Sequence, residues 1–157
     1  LVDIYKHFGV TSTFKNNTVT LKKEAVNLKP LTLNLQNAPD IAQTIAVTCF
    51  GLGIACDLTG LHTLKIKETD RLVALKTEIE KLGGEVAITD ASLHLSPSNK
   101  INKRVPIATY HDHRMAMAFM PLLTKTKVKM EDPSVVNKSY PSFWDHCESL
   151  GIQMQKS

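Results

Sequence analysis

The sequence is short of cysteine, of aromatic residues and of long apolar runs, and each shortage argues against a class of protein. Its three cysteines show no C-x-x-C spacing and form no even-numbered set, so they predict reduced, mostly buried thiols rather than a disulfide framework. No apolar stretch reaches the roughly 18 residues that a membrane span requires. The net charge of +4 comes without a basic run or an aromatic–basic stripe, which argues against nucleic acid but leaves small anions as suitable ligands. The composition favours a cytoplasmic globular protein.

The apolar residues that are present follow the periods of an α/β protein. Stretches rich in threonine and valine flank Asn16-Asn17, residues that tolerate the positive φ of a tight hairpin turn. Pro39 suits the first turn of a helix that is apolar almost all round and is therefore expected to be buried. The expected elements are, in order, the tail of a helix at 1–8, a hairpin at 10–21, a strand at 31–35, a helix at 39–53, one or two strands within 54–64, an amphipathic helix at 72–82, a hairpin at 85–95, a strand at 105–110, a helix at 113–123, a strand at 128–130, a helix at 141–150 and a strand at 152–154.

The order of these elements repeats along the chain. Gly9, Gly83 and Gly151 lie 74 and 68 residues apart, each where a helix is expected to end. The buried helices that begin near Asp40 and His113 are separated by 73 residues. A repeat of about 70 residues predicts two stacked α/β units, roughly 1–82 and 83–157.

Four of the predicted helices begin beside charged side chains. If the units stack with their helices parallel, these helix starts meet at one end, where free backbone N–H groups and the helix dipole favour anions. Arginine would bind a phosphate or carboxylate bidentately and lysine as a point charge, beside two acids that could carry protons. The residues concerned are Asp40, Lys67, Glu68, Arg71, His113, Arg114 and Lys138.

Each of these residues also has a less specific interpretation. The charged run at 67–71 could be an exposed ion-pair face, and Asp40 behind Pro39 could be only a partner of the helix dipole. The histidines at 111 and 113 have no further ligands at the usual spacings, so no metal site is expected. Lys138 on its own indicates little.

Four runs of residues, spread over essentially the whole chain, carry a family resemblance. The two specific runs are K-E-T-D-R-L at 67–72, which precedes a helix and Leu82-Gly83-Gly84, and D-H-R-M-A-M-A at 112–118. The run P-D-I-A-Q-T at 39–44 is similar to a Pro-Asp-Ala-Ala motif, and N-K-S-Y-P at 137–141 is similar to a Lys-Thr-Phe-Pro segment. Together they resemble the 5-enolpyruvylshikimate-3-phosphate synthase family.

The resemblance implies a fold of two similar domains, each built from three βαβαββ-type units with mixed sheets packed on inner helices. The chain would cover about two units of the C-terminal domain, and the N-terminal domain would be absent from it. The implied activity belongs to aromatic amino-acid biosynthesis in the cytoplasm. It is the transfer of the enolpyruvyl group of phosphoenolpyruvate to the 5-hydroxyl of shikimate 3-phosphate, with release of phosphate. The full-length protein would be monomeric and would need no metal or organic cofactor.

The resemblance also implies a role for each site residue. The catalytic pair would be Asp40, which accepts the proton of the substrate hydroxyl, and Glu68, which handles the methylene proton. Shikimate 3-phosphate would contact Asp40, Lys67 and Thr63, the last standing where many relatives have asparagine. Phosphoenolpyruvate would be held by Arg71, Arg114 and Lys138, with His113 nearby.

Two other functions remain open at this point. One is the sister reaction on UDP-N-acetylglucosamine, which uses the same fold. The intact runs at 67–72 and 112–118 argue against it, and so does the lack of a cysteine before a helix as an acid. The other is a non-catalytic anion-binding module, which would gain nothing from two carboxylates. Without its second domain the chain alone is expected to be inactive.

Overall fold

A computed structural model describes residues 1–153, in which helices and strands alternate. In chain order the elements are α1 (Val2–Lys6), β1 (Val10–Lys15), β2 (Thr18–Lys23), β3 (Leu31–Asn34), α2 (Ala42–Leu52), β4 (Cys56–Thr59), α3 (Arg71–Lys81), β5 (Val86–Ile88), β6 (Ser92–Leu95), β7 (Pro106–Ile107), α4 (His113–Phe119), β8 (Lys129–Met130) and α5 (Phe143–Ser149). Short 3₁₀ segments occupy Pro39–Ile41, His62–Ile66, Met120–Thr124 and Pro133–Val136.

Two successive sets of elements have the same order. The first is the hairpin β1–β2, the β3-α2-β4 unit and α3, and the second is the hairpin β5–β6, the β7-α4-β8 unit and α5. One sheet crosses between the sets, since its strand order is β3-β4-β6-β5, with β3 parallel to β4 and β4 antiparallel to β6. The hairpin of the second set therefore completes the sheet of the first. Within residues 1–153, β1–β2 and β7–β8 form separate two-stranded sheets.

The core is built around α2, as its nearly continuous apolar sequence predicted. Seven of its eleven residues are buried, and it packs against α3, α4 and β4. Gly53 ends it with φ 75°, a left-handed conformation that glycine adopts without strain. The apolar face predicted for α3 is also confirmed, since Leu72, Leu75, Ile79 and Leu82 are all buried.

Both predicted hairpins are present. The first turns at Asn16 and Asn17, whose φ values of 50° and 57° match the tight turn that the sequence indicated. The second joins β5 and β6. On the exposed side of α3, Lys76 pairs with Glu80, four residues further along the helix, at 2.6 Å.

Other predicted strands and the last helix differ from expectation. The stretch 105–110 contributes only β7, because Pro106 has no N–H to donate and Tyr110 and His111 both take positive φ, 54° and 57°. Between 54 and 64 only β4 is a strand, and the last helix begins at Phe143 instead of 141. Of the strand expected at 152–154, residues 152 and 153 lie outside any strand and Met154 lies outside the described residues.

The three cysteines are free and buried, which confirms the prediction of buried thiols. A hydrogen bond with Cys49 and burial raise the pKa of the Cys56 thiol, and burial raises the pKa of Cys147. Cys56 and Cys147 are therefore protonated and poorly nucleophilic at neutral pH. In the described part of the chain, every helix is too short or too polar to cross a membrane.

Candidate active site

The guanidinium of Arg71 is the centre of the candidate active site. Only 2% of this charged side chain is exposed, and three carboxylates surround it. Its Nε and Nη2 donate to Asp112 over 2.5 and 3.3 Å, its Nη1 donates to Asp40 over 2.9 Å, and its Nη2 also donates to Glu68 over 2.7 Å. Arginine has five N–H donors, so only one, on Nη1, is left without a carboxylate partner. The carboxylates offset the cost of removing the guanidinium from water.

The start of α3 is fixed by Asp70. Its Oδ1 accepts hydrogen bonds from the backbone N–H groups of Leu72 and Val73, both at 3.1 Å, so it is the N-cap of the helix. Asp70 therefore has a capping role, whereas Thr69 precedes the cap. Because Arg71 is the first residue of the capped helix, the cap also sets the direction of its side chain.

Asp112 has the same position at α4, and the sequence interpretation missed it as a site residue. Its Oδ1 accepts a hydrogen bond from the backbone N–H of Arg114 at 2.8 Å, while both of its oxygens contact Arg71. The side chain is fully buried. Its place directly before a predicted helix could have identified it as an N-cap, and a capping carboxylate keeps a second oxygen for a cation. Asp112 thus joins the start of α4 to the start of α3.

Asp40 adds the start of α2 to this cluster. It lies in the 3₁₀ turn before the helix, with 37% of its side chain exposed, and its carboxylate is 2.9 Å from Arg71, 3.4 Å from Lys67 and 3.5 Å from Arg114. Arg114 also donates to the backbone carbonyl of Asp40 at 3.1 Å. Three of the four charged helix starts therefore meet, as the stacked repeat predicted.

Glu68 and Asp40 bind adjacent nitrogens of the same guanidinium. Glu68 contacts Arg71 through Oε2, and 36% of its side chain is exposed. Two carboxylates that could move protons are thus held side by side at the surface of a buried cation. Since Arg71 is buried, the run at 67–71 is more than an exposed ion-pair face.

The charge of the cluster differs from the cationic cradle that the sequence indicated. The cations of Lys67, Arg71 and Arg114 are opposed by the carboxylates of Asp40, Glu68 and Asp112. The excess positive charge is absent because Asp112, which is fully buried, compensates Arg71 internally. The partly exposed cations are Lys67 and Arg114, with 33% and 38% of their side chains accessible.

Two predicted ligand-binding residues have unsatisfied polar atoms beside these segments. His113 begins α4 with 17% of its side chain exposed, and its Nδ1 has no hydrogen-bond partner among residues 1–153, the oxygen of Asp112 being 3.9 Å away. Thr63, in the 3₁₀ segment His62–Ile66, has a buried hydroxyl with no hydrogen-bond partner in the part of the chain that the structure describes. Unpaired buried polar groups are costly, so both are groups that a bound ligand or water could satisfy.

Lys138 is separate from the cluster in the part of the chain that the structure describes. It is exposed between the 3₁₀ turn Pro133–Val136 and α5, and no hydrogen bond or ion pair of residues 1–153 links it with the other site residues. Its role as a ligand of phosphoenolpyruvate stays a prediction. The described residues also contain no group of three or more histidine, cysteine, aspartate or glutamate side chains placed to bind a metal.

A second buried carboxylate holds the loop that carries Asp112. Glu78, on α3, accepts hydrogen bonds from the backbone N–H of Ala108 at 3.2 Å, from the hydroxyl of Tyr110 at 2.8 Å and from Lys81 at 2.7 Å. Burial, together with the hydrogen bond to Glu78, raises the pKa of Tyr110 to about 12. The left-handed backbone of Tyr110 costs energy in a residue with a Cβ, so this anchor offsets strain in the loop.

Comparison with known proteins places the chain in a family. A family model described as EPSP synthase (3-phosphoshikimate 1-carboxyvinyltransferase) matches residues 1–147. Among curated proteins named 3-phosphoshikimate 1-carboxyvinyltransferase, one from Bacteroides fragilis is 38% identical over 153 residues, which are 96% of this chain and 37% of that protein. Another, from Cellvibrio japonicus, is 34% identical over 144 residues, 91% of this chain and 34% of that protein. The solved structure of EPSP synthase from Acinetobacter baumannii has a TM-score of 0.78 at 20% identity, over 94% of this chain and 38% of that one, which shows the shared fold.

Fold and site together define an α/β protein of repeated units whose helix starts converge on a buried arginine. The chain belongs to the EPSP synthase (3-phosphoshikimate 1-carboxyvinyltransferase) family. It spans 37% and 34% of the length of the two curated relatives.

Proposed function

We propose that the chain is part of an enzyme that transfers the enolpyruvyl group of phosphoenolpyruvate to the 5-hydroxyl of shikimate 3-phosphate and releases phosphate. The observation that carries this proposal is the pair of partly exposed carboxylates, Asp40 and Glu68, on adjacent nitrogens of the buried Arg71. Family membership supports it, because the relatives are named for carboxyvinyl transfer to 3-phosphoshikimate. The chain would supply about two repeat units of a C-terminal domain, and the rest of a monomeric cytoplasmic protein would supply the N-terminal domain.

The reaction requires two proton transfers beside bound anions. In the addition step the 5-hydroxyl oxygen bonds to C2 of phosphoenolpyruvate, the hydroxyl proton passes to a base, and the C3 methylene gains a proton. In the elimination step phosphate leaves C2 and the C3 methyl group loses a proton, which restores the double bond. Asp40 takes the hydroxyl proton in this scheme and Glu68 carries the proton at C3.

The remaining site residues bind and orient the two substrates. Lys67 and the hydroxyl of Thr63 hold shikimate 3-phosphate, and Arg114 holds phosphoenolpyruvate together with Lys138, with His113 nearby. Arg71 supports this binding with its last free N–H and, above all, fixes both carboxylates. Lys67 and Arg114 would pair with the negatively charged groups of the substrates at the surface of the cluster.

A chimera tests this function. In it, the chain replaces the matching 37% of the Bacteroides fragilis relative, and phosphate release is measured with phosphoenolpyruvate and either shikimate 3-phosphate or UDP-N-acetylglucosamine as acceptor. Release with shikimate 3-phosphate alone is expected. Release only with the UDP-sugar would favour the sister reaction. A folded chimera that binds phosphoenolpyruvate but releases no phosphate would favour an anion-binding module.

Two substitutions in the chimera test the assigned proton carriers. Asp40→Asn and Glu68→Gln keep the side-chain size, and each is expected to lower kcat by about 10²–10⁴-fold, the usual contribution of a positioned acid or base, with a smaller change in KM. The matched control is Asp57→Asn on β4, where a carboxylate pairs with His94 outside the cluster, and kcat should be unchanged. A rise in KM without loss of kcat would assign Asp40 or Glu68 to binding instead of proton transfer.

A further inference from the structure

A tight turn leads into α4, whose first two residues are predicted ligands of phosphoenolpyruvate. The backbone N–H of Asp112 donates to the carbonyl of Thr109 at 2.9 Å, and the two residues between them, Tyr110 and His111, both have positive φ. This is the φ pattern of a type I′ turn, in which asparagine and glycine are preferred. Tyrosine and histidine carry a Cβ and are strained there, so their surroundings must hold the turn in place.

Helix α3 contacts this turn at two places. Arg71, at the start of the helix, binds Asp112 at the end of the turn. Glu78 follows seven residues later, which is two turns or about 10.5 Å along the same face of the helix. It accepts hydrogen bonds from the backbone N–H of Ala108, which precedes the turn, and from the hydroxyl of Tyr110 within it. The strained turn is therefore held on both sides by one helix.

Two points of attachment are needed to fix the direction in which α4 begins. Asp112 alone would act as a pivot, because one anchored residue fixes the position of a helix start but leaves its first turn free to tilt. The second attachment, at Glu78, prevents that tilt. His113 and Arg114 are the first two residues of α4, so their side chains move with any tilt. A displacement of about 1 Å in a positioned group can cost on the order of 10²-fold in rate.

Glu78 is an exception on its face of α3. It is fully buried, and Leu75 and Leu82 on the same face are apolar. A buried carboxylate is costly unless it is paired and hydrogen-bonded, as Glu78 is by Lys81 at 2.7 Å and by the two donors of the loop. Within residues 1–153 no side-chain hydrogen bond of Glu78 goes to the cluster around Arg71. Its effect on the site is therefore exerted through the loop.

We propose that Glu78 is a positioning residue for phosphoenolpyruvate, which fixes the turn before α4 so that His113 and Arg114 face the substrate and does not contact the substrate itself. This proposal rests on the proposed function, which assigns His113 and Arg114 to phosphoenolpyruvate. Lys67 and Thr63, assigned to shikimate 3-phosphate, lie before α3 and not on the turn. Loss of Glu78 should therefore weaken the binding of one substrate and not of the other.

The substitution Glu78→Gln in the chimera tests the proposal. Glutamine keeps the size of the side chain but has one acceptor oxygen, so it cannot hold both Ala108 and Tyr110 as the carboxylate does. The dissociation constant of phosphoenolpyruvate, measured by calorimetry, and its KM should both rise by about 10-fold, as for a weakened hydrogen bond to a charged ligand. The dissociation constant of shikimate 3-phosphate and kcat should change by less than about 2-fold, because the two carboxylates on Arg71 stay in place.

Two further variants separate positioning from stability. Tyr110→Phe removes one of the two contacts of Glu78 with the loop and should raise the dissociation constant of phosphoenolpyruvate by about 3-fold. Ile79→Val, next to Glu78 on α3, removes a buried methyl group near Gly84 and lowers stability by a similar amount, but it should leave the affinity for both substrates unchanged. If Glu78→Gln does not fold, Tyr110→Phe decides the question, and an unchanged affinity in that variant would overturn the proposal.

Amide hydrogen exchange, measured by nuclear magnetic resonance on the chain, reports the position of the loop without any substrate. The backbone N–H groups of Ala108 and Arg114 donate to Glu78 and Asp112. In Glu78→Gln both should exchange faster with solvent, whereas in Ile79→Val their rates should change no more than those of hairpin β5–β6. Unchanged exchange at Arg114 in Glu78→Gln would contradict the proposal, since α4 would then begin in the same way without the second attachment.

The binding measurements also separate this proposal from the proposed function. If the chimera releases phosphate and its Glu78→Gln variant binds phosphoenolpyruvate as tightly as before, only the role of Glu78 is overturned. An equal loss of affinity for both substrates would overturn it too, because general destabilisation has that effect. If the unmodified chimera binds phosphoenolpyruvate but releases no phosphate, the proposed function fails, and the dissociation constants still decide the role of Glu78. A folded chimera that binds no phosphoenolpyruvate would overturn both.

Discussion

Asp112 compensates the charge of Arg71 where water does not reach. Asp112→Asn keeps the size and the capping oxygen but removes the negative charge, which leaves a buried guanidinium with only Asp40 and Glu68 as charged partners. Loss of one partner of a buried ion pair costs about 3–5 kcal/mol. Because two carboxylates still pair with Arg71, the free energy of unfolding is expected to fall by an amount near the lower end of this range. Urea unfolding of the chain measures it.

The matched control is the same substitution at the other helix cap. Asp70→Asn also replaces a capping carboxylate by an amide, but within residues 1–153 Asp70 makes no ion pair with a buried cation, and asparagine caps almost as well. The free energy of unfolding should therefore change little. Equal losses for Asp70→Asn and Asp112→Asn would show that capping, and not charge compensation of Arg71, is what Asp112 contributes.

Tyr110 gives a prediction about pH. Burial and the hydrogen bond to Glu78 raise the pKa of its hydroxyl to about 12, so the folded state favours the neutral form. The unfolded pKa of tyrosine is about 10, and stability from this group is therefore complete below pH 10 and is lost as the pH rises towards 12. Absorbance titration of the chain should show a tyrosine transition near pH 12 that Tyr110→Phe abolishes.

The free energy of unfolding should fall more between pH 10 and 12 in the unmodified chain than in Tyr110→Phe, because the variant has no hydroxyl to ionise. At neutral pH the variant should be less stable by about 0.5–1.5 kcal/mol, the usual net value of one hydrogen bond. A Tyr110 transition near pH 10 instead, as in an unfolded chain, would show that the Tyr110 hydroxyl is not held by Glu78.

At the scale of residues, the sequence predicted which side chains form the cluster better than how they contact one another. Charged residues before helices marked Asp40, Glu68 and Arg114, because helix starts are polar ends of otherwise apolar elements. The burial of Arg71 was not predictable in this way. It depends on Asp112, which is 41 residues away in sequence, so no pattern of neighbouring residues indicates that Asp112 and Arg71 form an ion pair.

The cap of a single helix makes a measurable contribution to the free energy of unfolding. Asp70→Ala removes the acceptor for two backbone N–H groups at the start of α3 and should lower the free energy of unfolding by about 1 kcal/mol. Asp70→Ser, which keeps a capping oxygen, should recover most of this loss. A variant Asp70→Ala as stable as the unmodified chain in urea would mean that tertiary packing alone determines where α3 begins.

Helices and hairpins were predicted from local signals, whereas short strands were not. The turn at Asn16-Asn17 and the apolar stripe of α3 are set by residues within a few positions of each other, so the sequence contains them directly. The segment 105–110 looked like a strand because it is apolar, but only two of its residues pair with β8. Its remaining residues follow the anchor on Glu78, which is a tertiary contact.

At the scale of the whole molecule, the repeat was visible in sequence but its consequence for the sheets was not. The repeated glycines indicated two units, and the element order agrees with them. The sheet β3-β4-β6-β5, however, takes strands from both sets, since a hairpin pairs with the unit before its own. The spacing of repeated residues along the chain indicates the order of the elements, but it does not indicate which sheet edge a hairpin joins.

The isolated chain is expected to show no turnover, because its cluster is open to solvent. The side chains of Asp40, Glu68 and Arg114 are 36–38% exposed, so the chain supplies acids and cations but does not enclose the reacting groups. Precise mutual orientation of reactants is worth effective concentrations of about 10⁵–10⁸ M, and a site that is open on one side loses much of it. Phosphate release from phosphoenolpyruvate and shikimate 3-phosphate should be undetectable with the chain alone under conditions in which the chimera is active. Turnover by the chain alone would show that the helix starts around Arg71 are sufficient for the reaction.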